Sequence, residues 1–84
     1  MADGDATVRE RVLDLLVDVC GDEAVRDHLD DDLFELGLLD SMGAIELLVG
    51  IEDELGVSIA PTAVPREQMN TPNKIVAQVE KRVA

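Results

Sequence analysis

The sequence has few aromatic, basic and cysteine residues, and each shortage excludes a class of function. Its 84 residues include one phenylalanine and no tryptophan or tyrosine, so a pocket for a large ligand would have little bulk to line it. Seven basic residues stand against nineteen acidic ones, and the net charge of -12 makes nucleic acid and anionic membranes poor partners. Basic protein surfaces are the partners that this charge favours.

Cysteine and histidine each occur once, as Cys20 and His28. A single cysteine cannot form an internal disulfide and is too little for a structural zinc site, so we expect Cys20 to be a small buried apolar residue. We expect His28 to be solvated. Ser41 is one of two serines and does not stand in the G-x-S-x-G pattern of a serine hydrolase. We therefore predict no catalytic residue and no metal site.

Long apolar runs are also missing, since none approaches the ~20 residues that span a bilayer. The first residues, Met-Ala-Asp-Gly-Asp, lack the basic and apolar regions of a signal peptide. We expect a cytoplasmic, monomeric protein that does not insert into membranes. The length suits a single domain over residues 1–84, with a core from about residue 8 to residue 83.

The apolar spacing predicts an all-α fold, a small four-helix bundle with three main helices, one short helix and a long first loop. The predicted helices are Thr7–Cys20, Ser41 to about Leu55, a short turn at Arg66–Met69 and a last helix that starts at Thr71-Pro72. Their inward residues are expected to be Val8, Val12, Leu15, Leu16 and Val19 in the first helix, and Ile75, Val76, Val79 and Val83 in the last.

The first loop, residues 21–40, has no sustained apolar period and is long for a connection in a small domain. We expect it to be held to the core by Leu29, Leu33, Phe34, Leu36, Leu38 and Leu39. Asp30, Asp31 and Asp32 lack the spacing of a calcium-binding loop, so they are expected to be solvated.

The predicted second helix has two apolar stripes. One is the expected core stripe, Ala44, Leu47, Leu48, Ile51 and Leu55, and Gly43 and Gly50 fall on the opposite side. The other is Met42, Ile45 and Val49, bordered by Glu46, Glu52 and Asp53. A small bundle cannot easily bury both stripes, so we predict that the second is an exposed surface for a partner protein.

Ser41 stands where the loop enters the second helix. With Asp40, it could simply cap the helix, which contributes about 0.5–2 kcal/mol. A phosphodiester on its hydroxyl would also be favoured there, because first-turn N–H groups and the positive end of the helix stabilise an anion. Local chemistry leaves both interpretations open.

The residues from Asp32 to Met42 resemble the attachment motif of acyl and peptidyl carrier proteins, and the resemblance extends from about Val8 to Val83. The chain is most similar to the D-alanyl carrier proteins. That similarity lies in Gly37-Leu38-Leu39-Asp40-Ser41, Gly43, Glu46-Leu47-Leu48, Ile51-Glu52 and Asn70-Thr71-Pro72-Asn73.

The resemblance implies that a phosphopantetheinyl transferase attaches 4′-phosphopantetheine to Ser41, with Asp40 assisting the transfer. It also implies that an adenylating ligase loads the carrier with an amino acid or short acyl group and that an acyltransferase unloads it. These partners would bind the second helix at Met42, Ile45, Glu46, Val49, Glu52 and Asp53. The protein would be a carrier and not an enzyme.

The class of cargo, the pathway and the presence of a prosthetic group each have an alternative that stays open at this point. Gly43 stands where carriers of fatty acid synthesis typically have an acid, which favours an aminoacyl cargo over a fatty-acid or polyketide carrier. The aminoacyl pathway could be cell-envelope alanylation or natural-product (antibiotic) assembly. An acidic interaction adaptor without a prosthetic group is the non-carrier alternative.

Overall fold

The computed structural model describes residues 7–60 and 62–83, and these residues form helices joined by loops, with no strand among them. The three α-helices are α1 (Val8–Cys20), α2 (Ser41–Leu55) and α3 (Pro72–Val83). The predicted short helix is a 3₁₀ helix at Arg66–Gln68. A second 3₁₀ helix, Glu23–Asp27, was not predicted. The all-α fold is therefore confirmed, with one more short helix than expected.

Local capping signals fix the helix ends. The Thr7 side chain accepts a hydrogen bond from the Glu10 N–H at the start of α1, and Thr71 Oγ1 accepts one from the Lys74 N–H at the start of α3. Gly21 and Gly56 end α1 and α2 in the left-handed region, each with a φ of 69°. These predicted boundaries are confirmed.

The unpredicted 3₁₀ helix lies within the first loop and is held to α1. Asp22 caps it by accepting a hydrogen bond from the Ala24 N–H at 2.9 Å, and Val25 is fully buried. Arg26 pairs with Asp14 of α1. One buried residue in five gives no detectable period, which explains why the apolar pattern did not indicate this helix.

The buried residues of α1 extend beyond the single apolar stripe that was predicted for it. Leu13 is buried although it was not expected to be, because α1 packs against both α2 and α3. Val83 is 45% exposed in the last turn of α3, so its predicted inward position is wrong. The other buried apolar side chains include Val12, Leu16, Leu47, Leu48, Ile51, Ile75, Val76 and Val79.

Leucines hold the first loop to the core, with one exception. Leu33 and Leu39 are buried, and Leu29, Phe34 and Leu38 pack against the core. Leu36 is 46% exposed, which contradicts its predicted role as an anchor. It precedes Gly37, whose φ of 75° turns the chain at the loop surface.

Asp32 is also placed differently from the prediction, since it is half-buried rather than solvated. Its Oδ1 accepts hydrogen bonds from the N–H groups of Phe34 and Glu35, at 2.9 and 3.1 Å. Its Oδ2 accepts one from the Asn70 side chain at 3.0 Å. The Leu33 N–H donates to the Asn70 carbonyl at 2.8 Å, so this part of the loop is fastened to the turn before α3.

The glycines of α2 correct a further expectation, because both face α1. Gly43 is buried, and a Cβ there would lie 3.3 Å from Val19 Cγ1. A Cβ at Gly50 would lie 3.1 Å from Leu15 Cδ2. The absence of side chains lets the backbone of α2 lie close to α1. Ala44 and Leu55, predicted core residues, are half-buried.

No helix among residues 7–60 and 62–83 is both long and apolar enough to cross a membrane. The acidic residues 1–6, on which the expectation about a signal peptide depends, lie outside the described residues.

Candidate functional site

Asp40 and Ser41 have separate positions at the start of α2. Asp40 is the N-cap, with extended backbone, and its Oδ1 accepts a hydrogen bond from the Gly43 N–H at 2.7 Å. The Asp40 carbonyl accepts the first helical bond, from the Ala44 N–H at 2.9 Å. Ser41 is the first helical residue and is exposed. Asp40 alone thus performs the capping that the sequence could have assigned to either residue.

An apolar groove of about 260 Å³ opens beside Ser41. It runs between the first half of α2 and the segment that contains the short 3₁₀ helix at Arg66. Its lining residues are Phe34, Leu39, Ser41, Ala44, Ile45, Leu47, Leu48, Val64, Arg66 and Met69. The groove is too small for a bulky ligand but can hold a slender chain that starts at the Ser41 hydroxyl.

Among the described residues, Arg66 is the one charged residue that lines this groove. Its guanidinium carbon lies 3.8 Å from the centroid of the Phe34 ring, which is a cation–π distance. Sequence reasoning predicted the helical turn at Arg66 but gave it no part in the site. The pairing with Phe34, far away in sequence, could not be read from local pattern.

The second apolar stripe of α2 is exposed, as predicted. Met42, Ile45 and Val49 are 72%, 51% and 54% exposed. Their acidic neighbours Glu46, Glu52 and Asp53 are exposed as well. The stripe starts beside Ser41, so the hydroxyl and the patch are accessible from the same end of α2.

Cys20 and His28 stand apart from the groove. Cys20 is half-buried and packs against the core. Burial, together with the charges of Asp22 and Asp40, raises the pKa of its thiol. His28 is not simply solvated, because its Nδ1 lies 2.8 Å from Asp31 Oδ2. Among the described residues, no group of histidine, cysteine and carboxylate side chains is arranged to hold a metal ion.

Residues 10–79 match the family model for a phosphopantetheine attachment site. The chain belongs to this family of carrier proteins. It is also similar to D-alanyl carrier proteins over most of their length. That of Abiotrophia defectiva is 48% identical over 77 residues, which are 92% of this chain and 98% of that protein. That of Lacticaseibacillus casei (strain BL23) is 44% identical, over 92% of this chain and 95% of that protein. That of Bacillus subtilis (strain 168) is 42% identical, over 87% of this chain and 94% of that protein.

Family membership confirms the carrier role that the resemblance implied. The prosthetic group of such a carrier is phosphopantetheine, and the protein is acted on by other enzymes and is not a catalyst itself. The alternative of an adaptor without a prosthetic group is therefore not supported.

Proposed function

We propose that Ser41 carries the phosphopantetheine arm and that the cargo is D-alanine. The observation that carries the first part is the division of roles at the start of α2. Because Asp40 caps the helix, the exposed Ser41 hydroxyl is left to react, and it opens onto a groove that suits a slender arm. The terminal thiol of that arm, when present, holds an acyl cargo as a thioester.

In the attachment reaction the Ser41 oxygen would bond to the phosphorus that bears the pantetheine of coenzyme A. The pyrophosphate bond breaks, adenosine 3′,5′-bisphosphate leaves, and the hydroxyl proton passes to a base on the phosphopantetheinyl transferase. The new phosphodiester lies at the positive end of α2, which stabilises its charge. We assign to Asp40 a second role in this reaction, as an acidic contact for the metal-dependent transferase.

The cargo is inferred from the D-alanyl carrier proteins to which the chain is similar and from Gly43. Gly43 is buried, and a Cβ there would lie 3.0 Å from Leu39 Cδ1 and 3.3 Å from Val19 Cγ1, so the acid that carriers of fatty acid synthesis typically have there would require these side chains to shift. This supports an aminoacyl carrier over a fatty-acid or polyketide carrier. An aminoacyl carrier of this kind fits either cell-envelope alanylation or natural-product assembly, and we propose that the protein acts in the cytoplasm.

The docking face proposed for partner enzymes is the exposed patch Met42, Ile45 and Val49 with its border of Glu46, Glu52 and Asp53. An adenylating ligase, an acyltransferase and the transferase would each bind it in turn. Apolar contact surrounded by charge suits short-lived complexes, because complementary charge mainly raises the encounter rate.

The test is intact-mass measurement after incubation with a phosphopantetheinyl transferase and coenzyme A. We expect one phosphopantetheine to be added to the wild type and to Ser58→Ala, and none to Ser41→Ala. Ser58 is the matched control because it is the other serine and is also exposed. An unchanged mass for the wild type, or a gain in Ser41→Ala, would overturn the assignment of Ser41.

The cargo is tested on the carrier that already bears phosphopantetheine but no cargo. D-alanine, L-alanine and fatty acids are each offered with their adenylating enzyme and ATP. We expect D-alanine to be attached most rapidly. Preferential loading with a fatty acid would instead identify an acyl carrier and refute the aminoacyl cargo, while leaving the attachment at Ser41 intact.

A further inference from the structure

The groove beside Ser41 has an unusual distribution of charge. In the part of the chain that the structure describes, Arg66 is its one charged lining residue, and the other lining residues are apolar apart from Ser41. Within residues 7–60 and 62–83 no carboxylate lines the groove, although the chain as a whole has a net charge of -12. The groove therefore has a positive charge at its wall in a protein that otherwise attracts cations.

Arg66 is kept at this wall by its contact with Phe34. The guanidinium carbon lies 3.8 Å from the ring centroid, so the planar group lies over the aromatic ring that also lines the groove. Cation–π attraction favours this position over a fully solvated one. Arg66 is exposed overall, which means that its replacement leaves no buried cavity.

We propose that Arg66 determines which cargo can enter the groove, and that it excludes the ammonium group of an aminoacyl thioester. This inference rests on the proposed attachment at Ser41. An uncharged acyl group can leave water for the apolar walls at little cost. An ammonium group would lose part of its hydration among the apolar walls and would also approach the positive charge of Arg66. The aminoacyl end would then stay in solvent, accessible to the enzymes that transfer it.

Acyl and aminoacyl cargo would therefore differ in how they are presented to partner enzymes. A carrier that buries its cargo must release it before each transfer, whereas a cargo excluded from the groove is presented directly. Arg66 would therefore be a specificity-determining residue for presentation, acting on the bound cargo and not on its attachment.

The experiment compares alanyl and propionyl cargo, which differ only by the ammonium group. A transferase installs each from a coenzyme A analogue in which an amide replaces the thioester, so that the cargo does not hydrolyse. The methyl resonances of Leu48 and Val64, both in the groove, are recorded relative to the same chain with a free pantetheine thiol. Intact mass establishes the loading of every sample.

In the wild type we expect propionyl cargo to shift these resonances several-fold more than alanyl cargo. In Arg66→Glu the alanyl shift should rise to the propionyl level or above, and Arg66→Gln should fall between. Arg66→Lys, which keeps the charge, should behave like the wild type. Equal shifts for both cargoes in the wild type would overturn the inference.

Alanyl shifts that stay small in both Arg66→Glu and Arg66→Gln would also overturn it, because the apolar walls would then exclude the ammonium without Arg66. Failure of the proposed function has a different signature. In that case no sample gains the mass of the analogue, so the two results cannot be confused.

Discussion

The Asp40 carboxylate accepts a hydrogen bond from the Gly43 N–H at 2.7 Å, one turn along the helix that Ser41 begins. The same region is packed tightly, since a Cβ at Gly43 would lie 3.2 Å from Asp40 Oδ1 and 3.0 Å from Leu39 Cδ1. The first turn of α2 is thus fixed from both sides. This fixes the backbone from which the exposed Ser41 side chain extends.

Two replacements of Asp40 separate its capping from its charge. Asp40→Ala should lower the free energy of unfolding by about 0.5–2 kcal/mol, because the Gly43 N–H loses its acceptor. Asp40→Asn keeps an N-cap oxygen and should be nearly as stable as the wild type, yet it lacks the negative charge proposed to assist the transferase. Denaturant unfolding and transferase kinetics measure the two effects. If Asp40→Asn is modified as fast as the wild type, Asp40 acts only as a cap.

The two sides of α2 can be compared with the same residue type. Ile51 is fully buried, whereas Ile45 is 51% exposed. Ile51→Ala should cost about 2–5 kcal/mol of unfolding free energy because it leaves a cavity in the core. Ile45→Ala should change stability by no more than about 0.5 kcal/mol. Similar losses in urea unfolding would mean that Ile45 is part of the core in solution.

The helix ends could be predicted because their signals are local. Thr7, Gly21 and the Thr71-Pro72 pair each specify a boundary within a few residues of themselves, and the structure has its boundaries there. The exposed stripe of α2 could also be predicted, because a small bundle cannot easily bury two apolar stripes of one helix. The position of Ser41, where the first loop enters α2, could be predicted for the same reason as the helix ends.

Burial that depends on distant packing could not be predicted. Leu13 is buried because α1 has neighbours on two sides, and Gly43 because Val19 approaches it. The Arg66–Phe34 contact in the groove joins segments with no common periodicity. The Asp32 turn is different, since an aspartate that accepts from N–H groups two and three residues later is a recognisable local motif.

Asp32 and Asp31 are neighbours with different surroundings, so they make a matched pair. Asp32→Ala removes the acceptor of three hydrogen bonds, including the one from Asn70 that joins the loop to the turn before α3. We expect it to lower the unfolding free energy by about 1–3 kcal/mol. Asp31→Ala removes only an exposed contact with His28 and should cost about 0–1 kcal/mol. Equal effects in denaturant unfolding would show that the Asp32 turn does not stabilise the loop.

The raised pKa of Cys20 predicts that its thiol is alkylated slowly. Because burial first, and then Asp22 and Asp40, disfavour the thiolate, alkylation by iodoacetamide near neutral pH should be slower than that of a free cysteine. The rate should rise as the pH increases towards and beyond the ordinary thiol pKa, since more thiolate forms. Asp22→Asn removes one of the opposing charges and should accelerate the reaction. A Cys20 that reacts as rapidly as free cysteine would contradict this prediction.

The acidic border of the docking face should control how fast partners bind. Replacing Glu46 and Asp53 together by lysine reverses two charges beside the exposed patch, so loading by an adenylating ligase should have a lower kcat/KM with a nearly unchanged kcat. The matched control replaces Asp27 and Glu80, exposed on other elements, and gives the same net charge. The difference between the two variants should shrink as salt is added, because screening weakens the interaction between exposed charges. Equal kcat/KM values for both variants at low salt would show that total charge, and not this face, attracts the ligase.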